Sequence, residues 1–356
     1  MSLPVARLLL DCPNGVGSMT DSLRPNLFAH ATSELSQDAV LCWLLSWADH
    51  RCEGSDPGLH RLGRALVDTL LGLYGHPPLM EPYTVHARRQ KERVDVVARI
   101  GDRYIIAIED KTDTGPHSGQ LRRYRKKVES WATAEGRVPV LVYVKTGERL
   151  DEAYVRGQGW QPYGRGQFLS LLRGPAAAEV DNDILGDFVR HLGGLERIAT
   201  TWRWRPIAQK WTGRRPWEGL FSALEPRLEA VGDLGWGYVA NPAGGFMALW
   251  WGHQPVDGGR LYVQLEQRRM AIKVHSFDRG RRRELRERWS RRVLAHEDQL
   301  ALRLERPKRM GSGEYMTVAI SADWRVPDGQ GRLDFNGSLA HLRRALGLVR
   351  AVTSAP

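Results

Sequence analysis

The chain has 356 residues, more than one apolar core usually serves, so two domains are expected. Its 52 Lys and Arg outnumber 41 Asp and Glu, for a formal charge of +11 that favours a polyanionic partner; an arginine-biased composition would produce the same surplus. Three cysteines, Cys12, Cys42 and Cys52, have no paired spacing, which excludes a disulfide framework or zinc site and fits a reducing cytoplasm, and no run of about 18 apolar residues could cross a membrane.

Residues 1–25 show no clear period and are expected to be unstructured or to precede a true start at Met19. Thr32 and Ser33 are N-cap candidates for a helix over 33–49. Leu41, Leu44, Leu45 and Ala48 recur on it at helical spacing, and Glu34, Gln37, Asp38 and Leu41 form a neighbouring stripe. Glu34 has two readings: an acidic first-turn residue that favours the helix dipole, or an extra ligand in a functional cleft. Trp43 and Trp47, one turn apart, read as core. A loop over 54–58 and a second helix over 60–74 follow, ended by Pro77 and Pro78. Residues 83–87 read as a first strand leading into the basic stretch 88–91.

Two Val- and Ile-rich runs, 94–100 and 104–108, flank Gly101-Asp102 and read as a hairpin. The second run meets Glu109, Asp110 and Lys111 where an apolar strand should end. Alternation puts Glu109 and Lys111 on the face of Ile105 and Ala107, with Asp110 on the other. Asp95 interrupts Val94, Val96 and Val97, where a buried sheet prefers apolar side chains. A two-residue connection would set Val94 opposite Glu109; a three-residue one, or a bulge, sets Asp95 there, and that register is expected.

A helix over 115–131 carries Leu121, Tyr124, Val128 and Trp131 on one side, with Gln120 and Tyr124 one turn apart. Arg122, Arg123, Arg125, Lys126 and Lys127 line its other side, either as a solvated face or as contacts to backbone phosphates, of which Arg122, Arg123 and Lys126 are the candidates. Residues 138–144 read as a strand buried on both faces, 161–163 as an edge strand and 166–172 as a helix. The result is an α/β sandwich with a mixed sheet.

A helical connector is expected over 181–200, before a second domain over 201–356 that holds 9 of the 13 tryptophans. A helix over 217–231 precedes apolar or alternating runs at 235–240, 245–251, 261–267, 271–277 and 315–320, an antiparallel sheet. Residues 279–296 form a basic helix with Glu284–Arg288 and Glu287–Arg291 at ion-pairing spacing, and 338–352 a closing helix. Its arginines, Arg281, Arg282 and Arg283 among them, exceed its glutamates and point either to nucleic acid or to a solvated surface. Trp202, Trp204, Trp250 and Trp251 are core residues or base-stacking platforms.

Asp95, then Glu109-Asp110-Lys111, then Gln120 to Tyr124 as a QxxxY element resemble the PD-(D/E)XK nuclease superfamily, and the helix over 33–49 resembles the opening of a bacterial subgroup of it. Val94 stands where the family name has proline. The resemblance covers residues 26–173 and implies a restriction-endonuclease-like core, placed at 26–180. It implies Asp95 and Glu109 as Mg²⁺ ligands with the Asp110 carbonyl as a third and Mn²⁺ as a substitute. Lys111 would orient or deprotonate the attacking water, Glu34 would add a ligand or hold a water, and Gln120 and Tyr124 would position ligands or a phosphate. The expected activity is phosphodiester hydrolysis in nucleic acid, with DNA favoured. The bland reading is a surface ion pair of Glu109 with Lys111 at a strand end, worth about 0 to 1 kcal/mol. Two other classes compete: a nucleic-acid-binding protein that no longer cuts, and an effector, in phage defence for instance, that is silent until its second domain meets a partner protein or small molecule. A homodimer is a further expected arrangement. No phosphate-binding loop of the Walker type exists, so no motor is expected.

Overall fold

The structure, a computed structural model, describes residues 25–356 except 118, 229–232, 242–243, 297–301, 310, 312, 355 and 356. The expectation for residues 1–25 falls almost wholly outside the described residues. Ser33 starts α1 (Glu34–Ser46), and Asp56 caps α2 (Pro57–Gly72), whose Pro57 starts the helix three residues earlier than expected. The two helices cross at Gly63, where a Cβ would lie 2.6 Å from the Ala48 amide nitrogen and 2.8 Å from the Leu44 carbonyl oxygen. That contact sets how closely α1, which carries Glu34 and Gln37, is held.

β1 (Val85–Lys91), β2 (Val94–Ile100) and β3 (Tyr104–Lys111) form an antiparallel meander. The basic stretch 88–91 belongs to β1 itself, because its alternate side chains can stay exposed at a sheet edge. α3 (Gln120–Glu135) begins five residues later than expected, after a loop, with Gly119 at φ +66° in a conformation glycine favours. β4 (Val138–Lys145) then runs parallel to β3. α4 (Glu152–Gly157), capped by Asp151, was not anticipated; six residues are too few to show a period. β5 (Gln161–Gly164) and α5 (Arg165–Leu172) complete a mixed five-stranded sheet in the order β1-β2-β3-β4-β5. α1, α2 and α5 bury their apolar sides on one face with Val96, Ile106, Ile108 and Val142. α3 and α4 cover the other with Ile105, Ala107, Leu141 and Trp160.

α6 (Asp183–Ala199) links the two sheets, but it is no free connector: Leu185, Phe188 and Leu192 are built into the first core. The short α7 (Thr201–Trp204), also unanticipated, leads to α8 (Arg215–Leu228). β6 (Gly235–Val239), β7 (Phe246–Val256), β8 (Gly259–Glu266) and β9 (Arg269–His275) form an antiparallel meander, followed by α9 (Arg282–Leu294). β10 (Tyr315–Ser321) joins β9 at the other edge, and α10 (Phe335–Ser354) closes the described chain. α8, α9 and α10 share one apolar core with Trp251, Val263 and Ile272. Trp202 and Trp251 are core residues there, so neither is a stacking platform. Arg215 ties the halves together, 2.9 Å from Asp113 and 3.3 Å from Glu148. No helix among the described residues is long and apolar enough to cross a membrane.

The basic helix differs from its sequence reading in its partners. Glu284 lies 3.8 Å from Arg281, three residues before it, and Glu287 pairs with Arg306 at 2.7 Å, so one expected i,i+4 pair gives way to a local i,i+3 contact and the other to a tertiary pair. Arg281 also pairs with Asp257, and Arg282 donates to the Ser276 carbonyl. Buried Arg286 donates to the carbonyls of Thr317, Gly311 and Arg309. Arg283 stays exposed.

Asp49 fastens the start of β1 to the helices. Its carboxylate accepts the Arg51 and Val85 amides at 3.0 and 2.7 Å and pairs with the Arg51 guanidinium at 2.8 Å. The Arg51 hydrogen bond holds the carboxyl well below the usual range, against the effect of burial, and the Val85 and Arg51 amides add to this. Asp49→Ala removes a cap worth about 1 kcal/mol and strands a buried amide worth about 1 to 3 kcal/mol. The expected loss in urea unfolding at pH 7 is about 2 to 3 kcal/mol. A depressed folded-state pKa contributes stability in full above the unfolded value, near pH 4, and that contribution is lost progressively as pH falls from there through the folded-state value. The difference between variant and wild type should therefore shrink on acidification.

Candidate active site

The central strand β3 is paired on both edges, and every residue of it is buried. Apolar side chains fill it until Glu109, Asp110 and Lys111, which are 0, 0 and 5% exposed. A three-residue connection joins β2 to β3, with Val96 opposite Ile108 and Ile100 opposite Tyr104. One further step along this register sets Asp95 against Glu109, on the same face of the sheet.

The Lys111 ammonium is the hub. Its Nζ lies 2.6 Å from Glu109 Oε1, 3.5 Å from Asp95 Oδ2 and 3.7 Å from Glu34 Oε2, and it donates to the Asp110 carbonyl at 2.8 Å. Asp95 Oδ2 also accepts the Asp110 amide at 3.0 Å. Gln120, at the first turn of α3, donates to Glu109 Oε1 at 2.7 Å and sits 3.5 Å from the Tyr124 hydroxyl. Its own carbonyl takes the His117 amide at 3.1 Å, which fixes the side chain from the loop before the helix. Glu34 Oε1 accepts the Thr112 amide and the Thr114 hydroxyl at 3.1 and 3.0 Å, so the first turn of α1 is clasped to the chain leaving β3.

The Asp110 side chain points the other way, toward α1. Gln37 donates to its Oδ1 and accepts from Thr146 Oγ1 at 2.9 Å. Gln90, at the tip of β1 with φ +53°, reaches both Asp95 Oδ1 at 3.1 Å and Asp38 Oδ2 at 3.3 Å. Buried Lys145 ends β4 beside Lys111 and donates to the Thr114 carbonyl at 2.5 Å.

Five carboxylates thus crowd two ammonium groups. Burial, then the Asp95 charge, raises the Glu109 carboxyl. Burial, then Asp38, raises Asp110 well above the carboxylate range. Burial, with Asp95 next, lifts Asp38 to about 6. Burial works against the charge on Lys111, but Glu109, Asp95 and Glu34 outweigh it and hold the ammonium above the ordinary lysine range. Lys145, with weaker support from Asp113 and Glu34, is pulled down to about 8 by burial. The two lysines at the ends of neighbouring strands are therefore different acids.

Among the described residues no group of three or more His, Cys, Asp or Glu is arranged to hold a metal ion. At this cluster the Lys111 ammonium sits among the oxygens that a cation would need. In kind the donors fit a hard divalent ion: Asp95, Glu109 and Glu34 offer carboxylates and Asp110 a backbone carbonyl. Glu109 Oε2 is buried without a hydrogen-bond partner, as an oxygen kept for a further cation would be.

The residues expected to act together, Asp95, Glu109, Asp110, Lys111, Glu34, Gln120 and Tyr124, converge. Arg122, Arg123 and Lys126 lie on the exposed side of α3, outside the cluster. Arg281, Arg282 and Arg283 stand at the start of α9 in the second domain and not at this site. Gln37 and Asp38 were visible only as a helical stripe. Lys145 had a signal, since it ends an apolar strand as Lys111 does. Gln90, Thr112, Thr114 and Thr146 had none, because their roles come from segments that meet only in the fold. No protein-family model matches this chain, and comparisons with curated proteins and with solved structures return no match either.

Gln37→Leu keeps the size of the side chain and leaves Asp110 Oδ1 and Thr146 Oγ1 without this partner. Buried groups stranded in this way cost about 1 to 3 kcal/mol each. Urea unfolding should show a loss of about 2 to 4 kcal/mol; a loss under about 0.5 kcal/mol would mean the bridge contributes nothing.

Proposed function

We propose that the chain is a metal-dependent nuclease that hydrolyses phosphodiester bonds in nucleic acid, with DNA the first substrate to test, on a restriction-endonuclease-like core of the PD-(D/E)XK type. The observation that carries this reading is the convergence of Asp95 and Glu109 within 3.5 Å of the Lys111 ammonium nitrogen, with Gln120 bonded to Glu109. A surface ion pair does not account for it, because Glu109 is fully buried and exposed pairs contribute little. The proposed core occupies residues 26–180, and a cytoplasmic location goes with it.

Asp95, Glu109 and the Asp110 carbonyl would hold Mg²⁺ or Mn²⁺, with Glu34 at the rim. When bound, such an ion neutralises charge on the phosphate and makes water more acidic. Gln120 keeps the Glu109 carboxylate aimed, and the Tyr124 hydroxyl stands behind it. Lys111 places a positive charge beside the reacting phosphate and orients the attacking water. Its surroundings hold its proton in place, so orientation fits it better than proton abstraction. Arg122 and Lys126, exposed on α3, would meet backbone phosphates flanking the cut.

One observation favours a second reading, an effector activated by a partner. Glu109 and Lys111 are 0 and 5% exposed, so a phosphate reaches Glu34 and Asp95 before it reaches them. Cleavage that appears only on adding a cell extract would support that reading.

Incubation with circular, linear and single-stranded substrates plus Mg²⁺ tests the proposal. Asp95→Ala, Glu109→Ala and Lys111→Ala should each lower cleavage by roughly 10²- to 10³-fold or more. Wild-type cleavage by all three ends the proposal. Asp110→Asn separates backbone from side chain. Because Asp110 meets the cluster only through its backbone amide and carbonyl, this variant should stay within about threefold of wild type, small against the 10²-fold loss of a charge-stabilising group.

A further inference from the structure

α8, α9 and α10 cover one face of the second sheet. Alternation in β8 and β9 turns Leu261, Val263, Leu265, Met270, Ile272 and Val274 into that core. The residues between them face the other way: Arg260, Tyr262, Gln264 and Glu266 on β8, and Arg269, Ala271, Lys273 and His275 on β9. Trp250, His253, Arg260, Tyr262, Gln264 and Lys273 line a cavity of about 460 Å³ there, a size that suits one small ligand. His275 and Tyr315 complete its wall.

The rings are paired. His253 stacks on Tyr262 with centroids 4.5 Å apart and planes 24° apart, and His275 stacks on Tyr315 at 4.6 Å and 21°. Flat aromatic walls of this kind receive another planar ring. The charged groups in the lining are Arg260 and Lys273, and no carboxylate is among the lining residues. Glu266 lies beyond them and takes Gln264 at 3.1 Å, Lys273 at 3.6 Å and Arg269. Arg260 is exposed and makes no ion pair among the described residues. Burial lowers His253, against the Asp233 carboxylate 3.1 Å from its Nδ1. The lining therefore asks for a planar ring joined to an anion, with the Gln264 amide able both to donate to and to accept from the ring edge.

We propose that this face binds a nucleobase carrying a phosphate, either as a free nucleotide or as one residue of a single strand. The inference goes beyond the nuclease reading and does not depend on it. It gives the second domain a ligand and gives Trp250 the stacking role that Trp251, its buried neighbour, does not have.

Isothermal titration of the full chain carrying Glu109→Ala, so that no strand is consumed, tests it. The probes are the four nucleoside 5′-monophosphates and single strands of ten dT or ten U. Saturable binding with Kd below about 1 mM is expected for at least one probe. An Arg260→Ala, Tyr315→Ala double variant should weaken it at least tenfold with an unchanged melting temperature, since both side chains are exposed. If the double variant melts early, Arg260→Ala alone serves. Binding of a monophosphate identifies a free nucleotide as the ligand, and binding of a strand alone identifies single-stranded nucleic acid. No saturable binding of any probe, or affinity unchanged by the substitutions, overturns the proposal. Neither result alters what Asp95→Ala or Lys111→Ala does to cleavage.

Discussion

The Lys111 ammonium is what lets the end of β3 exist in its observed form. Glu109 and Asp110 are fully buried, and Asp95, Asp38 and Glu34 crowd the same strand end. Carboxylates that close raise one another's affinity for protons and cost several kcal/mol each to bury uncompensated. One cation contacting Glu109, Asp95 and Glu34 offsets that repulsion at three points. Those three acids arrive from β3, β2 and α1, so the same interaction that balances charge also locks the site's elements together. A buried charge of this kind is weak support for stability as such, and stronger support for a site that keeps charge where chemistry needs it.

The backbone around the cluster is equally constrained. A Cβ on Gly147 would lie 2.0 Å from the Thr112 carbonyl oxygen, so the chain leaving β4 presses directly on the chain leaving β3. Thr112 is also the residue whose amide Glu34 accepts. Gly63 does the same for the α1–α2 crossing. Two close backbone approaches, one at each end of the clasp, thus hold Glu34 near Lys111 and Gln37 against Asp110.

The second domain shows how far a charge count can mislead. Arg281, Arg282 and Arg286 in the basic helix are largely spent on Asp257, on the Ser276 carbonyl and on the carbonyls around residues 309–317. Part of the surplus of +11 is therefore structural, and a guanidinium can fill this role because it donates in several directions at once. The cavity on the uncovered face carries fewer cations, but they stand beside rings and without lining carboxylates. Position, not number, distinguishes the two.

Strand composition and alternation were enough to read the meander, the two buried strands and the antiparallel second sheet. They also set the face of each residue in Glu109-Asp110-Lys111, because the side-chain period of a strand is local. The connection after Ile100 could be posed as one of two registers, and the fold has the three-residue one, with Ile100 opposite Tyr104. Helix starts were less legible, since the α3 cap depends on Gly119 and on Gln120 bonding back to His117. What only the tertiary structure decided is the company these residues keep. That Lys111 remains charged while Lys145 is pulled down, that Gln37 bridges Asp110 to Thr146, and that Glu287 chooses Arg306 are all set by segments distant in sequence. Coulomb energy and desolvation depend on distance through space, and a periodic pattern along the chain carries no record of that distance.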